Sequence, residues 1–305
     1  MATRGRQHWN DEVHVPNPGQ PTPGFVRGFL RFVAPLVRLC HRPTLSGMEH
    51  LPPSGPYLLV ANHSAGVGMA EISSFATLYL ERVGPARPLA AFVHPIDFRM
   101  PGLRTLVRSM GAIPSTYAAA CETLAAGIPV IVFPGGDHES LKPFWQGNRV
   151  DFGGRVGFLR LARDARVPVV PMGIRDGFLT NPILLRSKLL ATLLVTPRLL
   201  GIKRWGLSLF GTVVAALLAL FLPLPWPATA AVVWLWLGSP PVFLACIPWT
   251  VRLRIGPAIP PDELFGPHNE PTAPHGPPPS DSQLASALAR VQDAVQRLVD
   301  GPDRA

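Results

Sequence analysis

Cysteine is scarce in this 305-residue chain, with three residues at Cys40, Cys121 and Cys246. They lie too far apart for a metal or redox motif, which excludes a disulfide framework and fits a reducing compartment. Acidic side chains are also few, 19 against 28 lysines and arginines, leaving a formal charge of +9. An anionic partner is therefore expected. The bases are mostly arginines beside apolar runs, and aromatic, lysine-rich patches are missing. An anionic membrane surface fits this pattern and nucleic acid does not. Residues 1–24 contain no apolar core, so a cleaved signal peptide is not expected. Nor does a Gly-x-Ser-x-Gly elbow occur, so no covalent serine intermediate is indicated. His41, His50, His268 and His275 have no partner pattern, and no metal site is expected.

Against these absences one stretch carries chemistry: Pro56 to Glu71, where the apolar run Tyr57 to Ala61 ends abruptly at Asn62-His63-Ser64, followed by Gly66 and Gly68. A buried strand that delivers a polar triplet into a glycine-rich turn can hold a reactive side chain at a sheet edge. A surface-loop histidine is the plainer alternative. A second apolar run, Val130 to Phe133, enters Pro134-Gly135-Gly136-Asp137-His138-Glu139-Ser140. Its glycine pair permits close backbone approach to a ligand. His94 and Asp97 form a rival acid–base pair, but they stand on either side of Pro95, just before the Pro101-Gly102 turn, as in a surface connection.

In order and spacing, four blocks resemble the lysophospholipid and glycerolipid acyltransferase superfamily. They are Asn62-His63, Arg108 to Ser115 with Gly111, Phe133-Pro134-Gly135-Gly136, and Val167 to Pro171. The third is similar to the form found in diacylglycerol-acyltransferase-like branches, in place of the commoner Phe-Pro-Glu-Gly. The resemblance covers about residues 45 to 180. It implies an acyltransferase with His63 as general base, using acyl-CoA or acyl carrier protein as donor and no bound cofactor. It also implies a membrane lipid or glycerol hydroxyl as acceptor, at the cytoplasmic face of a membrane, taken as a bacterial inner membrane. The superfamily's first block has an Asp five residues after the histidine, where this chain has Gly68. Glu71 can replace it only if the turn bulges back toward His63.

Acyl transfer to an alcohol needs a base and donors for the developing oxyanion. Imidazole can be neutral and basic near neutral pH. Backbone N–H groups near Gly135-Gly136 or in the turn after His63 are the candidate donors. Asn62, Ser64, Arg108, Gly111, Phe133, Pro134, Gly135, Gly136, Glu139, Arg149 and Arg155 are the expected substrate-binding residues. The Glu and Arg of the commoner third block are replaced by Gly135 and His138, which leans toward a neutral or bulky lipid alcohol, unless Arg149 or Arg155 substitutes. The alternative class is a non-catalytic lipid-binding scaffold on a degenerate acyltransferase fold, for which the missing Asp speaks.

The expected architecture is α/β, a largely parallel central sheet flanked by helices, with an N-terminal amphipathic helix and an apolar helical hairpin in the C-terminal half. Residues 1–23 are expected to be disordered. In 24–44, Arg27, Arg31, Arg38 and Arg42 fall on one stripe of a helix kinked at Pro35, suited to a membrane interface or to ordinary core packing. The acyltransferase-like domain spans 45–204. No charged side chain occurs from Trp205 to Val251, so 205–251 reads as a membrane hairpin, spanning or re-entrant, with a hydrophobic subdomain or acyl-chain tunnel as the alternative. Residues 252–305 are expected to supply a return strand, a Pro-rich loop and a final helix. In that helix Leu284, Leu288, Val291, Val295 and Leu298 form a seam.

Overall fold

The computed structural model of the chain describes residues 15, 17–64, 66, 69–244, 247–266 and 280–302. Short apolar runs form its strands: β1 (Thr44–Ser46), β2 (Leu58–Ala61), β3 (Ala90–Val93), β4 (Ile113–Pro114), β5 (Val130–Val132), β6 (Val169–Arg175), β7 (Ile183–Ser187), β8 (Trp205–Ser208) and β9 (Arg252–Ile255). Seven of them make one sheet in the order β1-β9-β6-β2-β5-β3-β4, and β7 and β8 pair separately. Only the β6–β9 pairing in the large sheet is antiparallel, so β1 and β9 run against the others. This is the expected α/β fold with a largely parallel sheet.

β2 lies at the centre and every residue of it is buried. That follows from helices on both faces, which remove the need for a polar side. Leu58 and Val60 face one core with Val130, Leu159 and Val291; Leu59 and Ala61 face the other with Ile131, Phe75 and Leu78. The period-2 alternation of a strand thus divides one tetrapeptide between two cores. Burying each leucine contributes about 1.5–3 kcal/mol.

The final helix, Asp281–Asp300, opens on a reciprocal capping box between Ser280 and Gln283. Leu284, Val291 and Val295 of its seam are buried, while Leu288 and Leu298 are half-buried. It packs along β6, where Gly173 leaves no room for a side chain: a Cβ there would overlap Leu298 and the Val299 backbone.

Three expectations change. Residues 1–14 and 16 lie outside the described residues, but 17–23 are not disordered. Gly19 donates to Gly111 O at 2.7 Å, accepts from Leu89 N at 3.1 Å, and Thr22 N donates to Ser109 O at 2.8 Å. The segment is a strap fixed by backbone hydrogen bonds, which its polar composition does not reveal. The amphipathic helix is three pieces: Pro23–Gly28, a π-helical turn Phe29–Val33, and Ala34–His41. Pro35 falls in the first turn of the last piece, the place in a helix where proline is tolerated. Val37 and His41 are buried, whereas Phe32, Leu36 and Leu39 stay exposed. Arg38 leaves the basic stripe to pair with Glu81.

The apolar hairpin is the third. Its helices, Leu209–Phe221 and Trp226–Leu237, have 13 and 12 residues. At 1.5 Å per residue each reaches about 20 Å, short of the roughly 30 Å hydrocarbon layer. No helix among the described residues is long and apolar enough to cross a membrane. The spanning form of the expectation therefore fails; Pro223, Pro225 and Pro227 shorten what the hydropathy made look continuous.

Candidate active site

β2 ends at Ala61, and the next three residues leave the sheet into a buried turn. Asn62 continues the β2–β6 pairing with its side chain: the carboxamide donates to Ile174 O at 2.8 Å and accepts from Ile174 N at 2.7 Å. With both ends engaged and no exposure, Asn62 fixes the turn and is not available to a substrate. Gly66 N donates to Ser140 O at 2.9 Å, which ties the far side of the turn to the third block. Gly68, at the position of the expected Asp, lies outside the described residues.

The next helix, Met69–Val83, carries Glu71 in its first turn, at zero exposure. Glu71 Oε2 lies 2.6 Å from His63 Nδ1. Its Oε1 accepts from Ser64 Oγ at 2.7 Å and Ser64 N at 3.1 Å. Burial opposes the charge of this carboxylate, but the bonds from His63 and Ser64 outweigh it and hold Glu71 below the usual carboxylate range. An ionised Glu71 makes Nδ1 the donor, an assignment that follows from the hydrogen-bond network. No described residue hydrogen-bonds Nε2. Ser64, expected at the substrate, is buried and turned to Glu71. Phe133 packs its ring on His63, with centroids 5.0 Å apart.

A second buried carboxylate meets the turn from the other side. Glu139 Oε2 accepts His63 N–H at 3.1 Å, and Oε1 accepts Asp151 N–H at 3.0 Å. Lys142 Nζ stands 3.7 Å from Oε1 and donates to Arg149 O at 2.5 Å. Burial pushes Glu139 up to about 7, against Lys142 and the backbone donors, and pushes Lys142 down. Gly135 is needed here for space alone: with φ at −62° its backbone suits any residue, but a Cβ would overlap Glu139. Gly136 does adopt positive φ, at 45°. Arg155 clamps this turn, donating to Gly135 O at 2.8 Å, to Pro134 O at 3.3 Å and to Asp137 at 2.5 Å.

Glu139 also lines a cavity of about 190 Å³ together with His138, Lys142, Gln146, Arg149, Asp151 and Arg186. The structure thus gathers His63, Glu71, Ser64, Asn62, Phe133, Pro134, Gly135, Gly136, Glu139 and Arg155 around one turn, with Arg149 on the cavity wall. It does not bring in Arg108 or Gly111. Arg108 is exposed at the end of the helix Leu103–Ser109, and Gly111 packs on the Gln20 backbone. Of the candidate oxyanion donors, three are already engaged: Ser64 N by Glu71, Gly66 N by Ser140 and Gly136 N by Phe133. His94 caps its own 3-10 turn, accepting from Ile96 N at 3.3 Å. No cluster that could hold a metal occurs among the described residues.

Sequence reasoning missed Lys142 and Arg186. Lys142 left a signal, a lone cation between Leu141 and Pro143-Phe144-Trp145, and a cation in an apolar run is one that must find a buried partner. Arg186 left none, since it lies on β7, far along the chain from the other residues of the cavity wall.

Comparison with known proteins bears on the family and the fold. Residues 42–175 match the family model described as Acyltransferase. An uncharacterised protein of Mycobacterium leprae is 32% identical over 173 residues, 56% of this chain and 46% of its own length. A Bos taurus protein described as a DGAT1/2-independent enzyme synthesizing storage lipids is 32% identical over 142 residues, 45% of this chain and 41% of its own. The matches thus cover less than half the length of these relatives. In fold, the chain is similar to the 1-acyl-sn-glycerophosphate acyltransferase PlsC of Thermotoga maritima, with TM-score 0.50 and 16% identity over 92% of this chain and 81% of that one.

Proposed function

We propose that this chain, whose residues 42–175 match the family model described as Acyltransferase, moves a fatty acyl group from an acyl thioester to a lipid or glycerol hydroxyl with His63 as general base. The observation that carries this reading is the buried 2.6 Å contact between His63 Nδ1 and Glu71. Glu71 takes the Nδ1 proton as a hydrogen bond, which fixes the ring and leaves the Nε2 lone pair for the acceptor. Nε2 removes the hydroxyl proton as the oxygen attacks the thioester carbonyl. The C–S bond then breaks, and His63 returns the proton to the departing thiolate. An imidazolium formed in the first step lies against a carboxylate held ionised for it.

The donor in this proposal is acyl-CoA or acyl carrier protein, and the site of action is a membrane surface. Leu220 and Phe221 at 75% exposure and Trp226 at 81% support the second point, since they crowd the tip of the apolar hairpin. The hairpin is proposed to dip into one leaflet, with its tryptophans at the headgroup level. The scaffold alternative drew on the missing Asp; Glu71 in contact with His63 removes that ground. The test is transfer of labelled acyl groups from acyl-CoA and acyl carrier protein to a panel of lipid alcohols, with membranes carrying wild type, His63→Ala and Glu71→Ala. Transfer lost in His63→Ala and crippled in Glu71→Ala supports the dyad. Activity surviving both changes removes it. No transfer from either donor to any acceptor favours the scaffold.

A further inference from the structure

Beyond the end of β2 the sheet supplies no acceptor for the backbone N–H of His63. β2 pairs with β5 as far as Val60 and Val132, and with β6 as far as Ala61 and Met172. Past those residues Asn62 reaches β6 through its side chain, and β5 has turned away into Phe133-Pro134-Gly135. His63 N–H is thus a buried donor that a side chain has to meet. Glu139, at zero exposure, meets it with Oε2 at 3.1 Å. Its other oxygen accepts Asp151 N–H at 3.0 Å and stands 3.7 Å from Lys142 Nζ. One carboxylate therefore ties the turn that carries the base to a second segment of chain. Glu71 fixes the ring through Nδ1. The place from which that ring projects is set by the backbone, and Glu139 holds the backbone.

Gly135 shows that this space can be entered from two positions. Its φ of −62° and ψ of −30° suit any residue. Yet a Cβ there would lie 2.3 Å from the Glu139 Cβ and 2.5 Å from its Oε2. A side chain rooted at 135 therefore enters the volume that the Glu139 carboxylate already fills. Positions 135 and 139 are about one helical turn apart, on one face, and Glu139 N donates to Gly135 O at 3.3 Å.

We propose that Glu139 is the positioning residue of the base: it holds the His63 backbone so that Nε2 meets the acceptor hydroxyl, and a carboxylate supplied from position 135 can take over that task. The replacement of the commoner Phe-Pro-Glu-Gly by Phe133-Pro134-Gly135-Gly136 is then a carboxylate displaced by one turn, with Gly135 left bare to admit it. Glu139 acts through His63 and not on the reacting atoms. The inference rests on the acyl-transfer reading for what the ring does, and not for the hydrogen bond that holds it.

The test compares the full chain with Glu139→Ala, Gly135→Glu/Glu139→Ala and Gly135→Leu/Glu139→Ala. The leucine change refills the space without an acceptor, which separates support of the base from packing. Hydrogen exchange at the His63 amide reads the hold without turnover. In Glu139→Ala it is expected to be about tenfold faster, the effect of losing a hydrogen bond to a charged group. Gly135→Glu/Glu139→Ala is expected to return it to the wild-type rate, and Gly135→Leu/Glu139→Ala to leave it fast. With the acceptor that the transfer panel identifies, kcat is expected to fall by about 10²-fold in Glu139→Ala, the cost of a misplacement of about 1 Å, with KM little changed. The glutamate change at 135 should recover most of that loss and the leucine change none. Melting temperatures establish that the variants fold; if Glu139→Ala does not, the two double variants carry the comparison. Wild-type exchange as fast as that of the variants, or recovery by leucine equal to that by glutamate, overturns the proposal. So does a folded Gly135→Glu/Glu139→Ala that exchanges as fast as the leucine variant. If exchange follows the expected order while wild type transfers no acyl group, the hold stands and the acyl-transfer reading falls.

Discussion

At Glu71 and Glu139 the same physical cost, burial of a carboxylate, is resolved in opposite directions. Glu71 receives three hydrogen bonds, two from Ser64 and one from His63, and stays ionised; Glu139 has two backbone donors and a lysine at 3.7 Å, and its pKa rises to about 7. Replacing Glu71 with Gln keeps the shape and removes the charge that favours the imidazolium. Glu71→Gln is expected to lower kcat by about 10²–10⁴-fold, the usual range for losing a general base or its orientation, with KM little changed; steady-state kinetics with the acceptor that the transfer panel identifies checks it. The two carboxylates also give opposite pH dependences of stability. Between the ordinary value of 4.5 and about 7 the folded chain keeps the Glu139 proton and the unfolded chain has lost it. The contribution of Glu139 therefore falls as pH rises through that window. Glu71, held low, contributes above 4.5 and loses that contribution as pH falls through its folded value. Melting curves from pH 4.5 to 7 should therefore decline less with pH in Glu139→Gln than in wild type.

The elements that matter are short turns held from several directions. The third-block turn works because Gly135 admits Glu139, and Glu139 in turn holds the His63 backbone. Gly135→Ala keeps allowed backbone angles but puts a methyl group into the Glu139 side chain. An overpacked site costs about 1–3 kcal/mol, and that loss should appear in denaturant unfolding together with reduced transfer activity. A variant as stable and as active as wild type would mean that Glu139 can move aside freely. The His63 turn is held by Asn62 on β6, by Ser64 on Glu71 and by Gly66 on Ser140. Three anchors within five residues make a rigid support for the ring, which general-base geometry requires.

Across the whole molecule, exposed apolar side chains gather on the parts outside the sandwich of sheet and helices. Phe32, Leu36 and Leu39 lie on the N-terminal helical pieces, Leu189, Leu193 and Leu199 after β7, and Leu217, Leu220, Phe221 and Trp226 on the hairpin. Patches of this kind on a soluble chain mark an interaction surface, and the net charge of +9 favours an anionic one. A triple change of Leu220, Phe221 and Trp226 to serine is expected to release the protein from vesicles containing anionic lipid in a flotation assay, while its melting temperature stays near that of wild type. Retained flotation would remove the hairpin from the membrane contact.

The apolar runs of β2, β5 and β6 and the periodic helices between them were legible because hydrophobic periodicity is a local property. The return strand β9 and the apolar seam of the final helix were legible for the same reason. So was His63, since a polar triplet after a buried strand is a local break in pattern. The sequence by itself determined the main strands, the largely parallel character of their sheet and the residue that sits at the end of β2; their order across the sheet came from the tertiary structure. Only the tertiary structure decided what that residue touches. Glu71 reaches His63 because the turn folds back on the first turn of a helix, and Glu139 arrives beneath the same turn because Gly135 makes room. The cavity cations converge from 142, 149 and 186 through packing that spacing does not encode. The strap at 17–23 and the shortness of the hairpin helices follow the same rule. Backbone hydrogen bonds between distant segments and the breaks made by prolines set them, and composition averages over both.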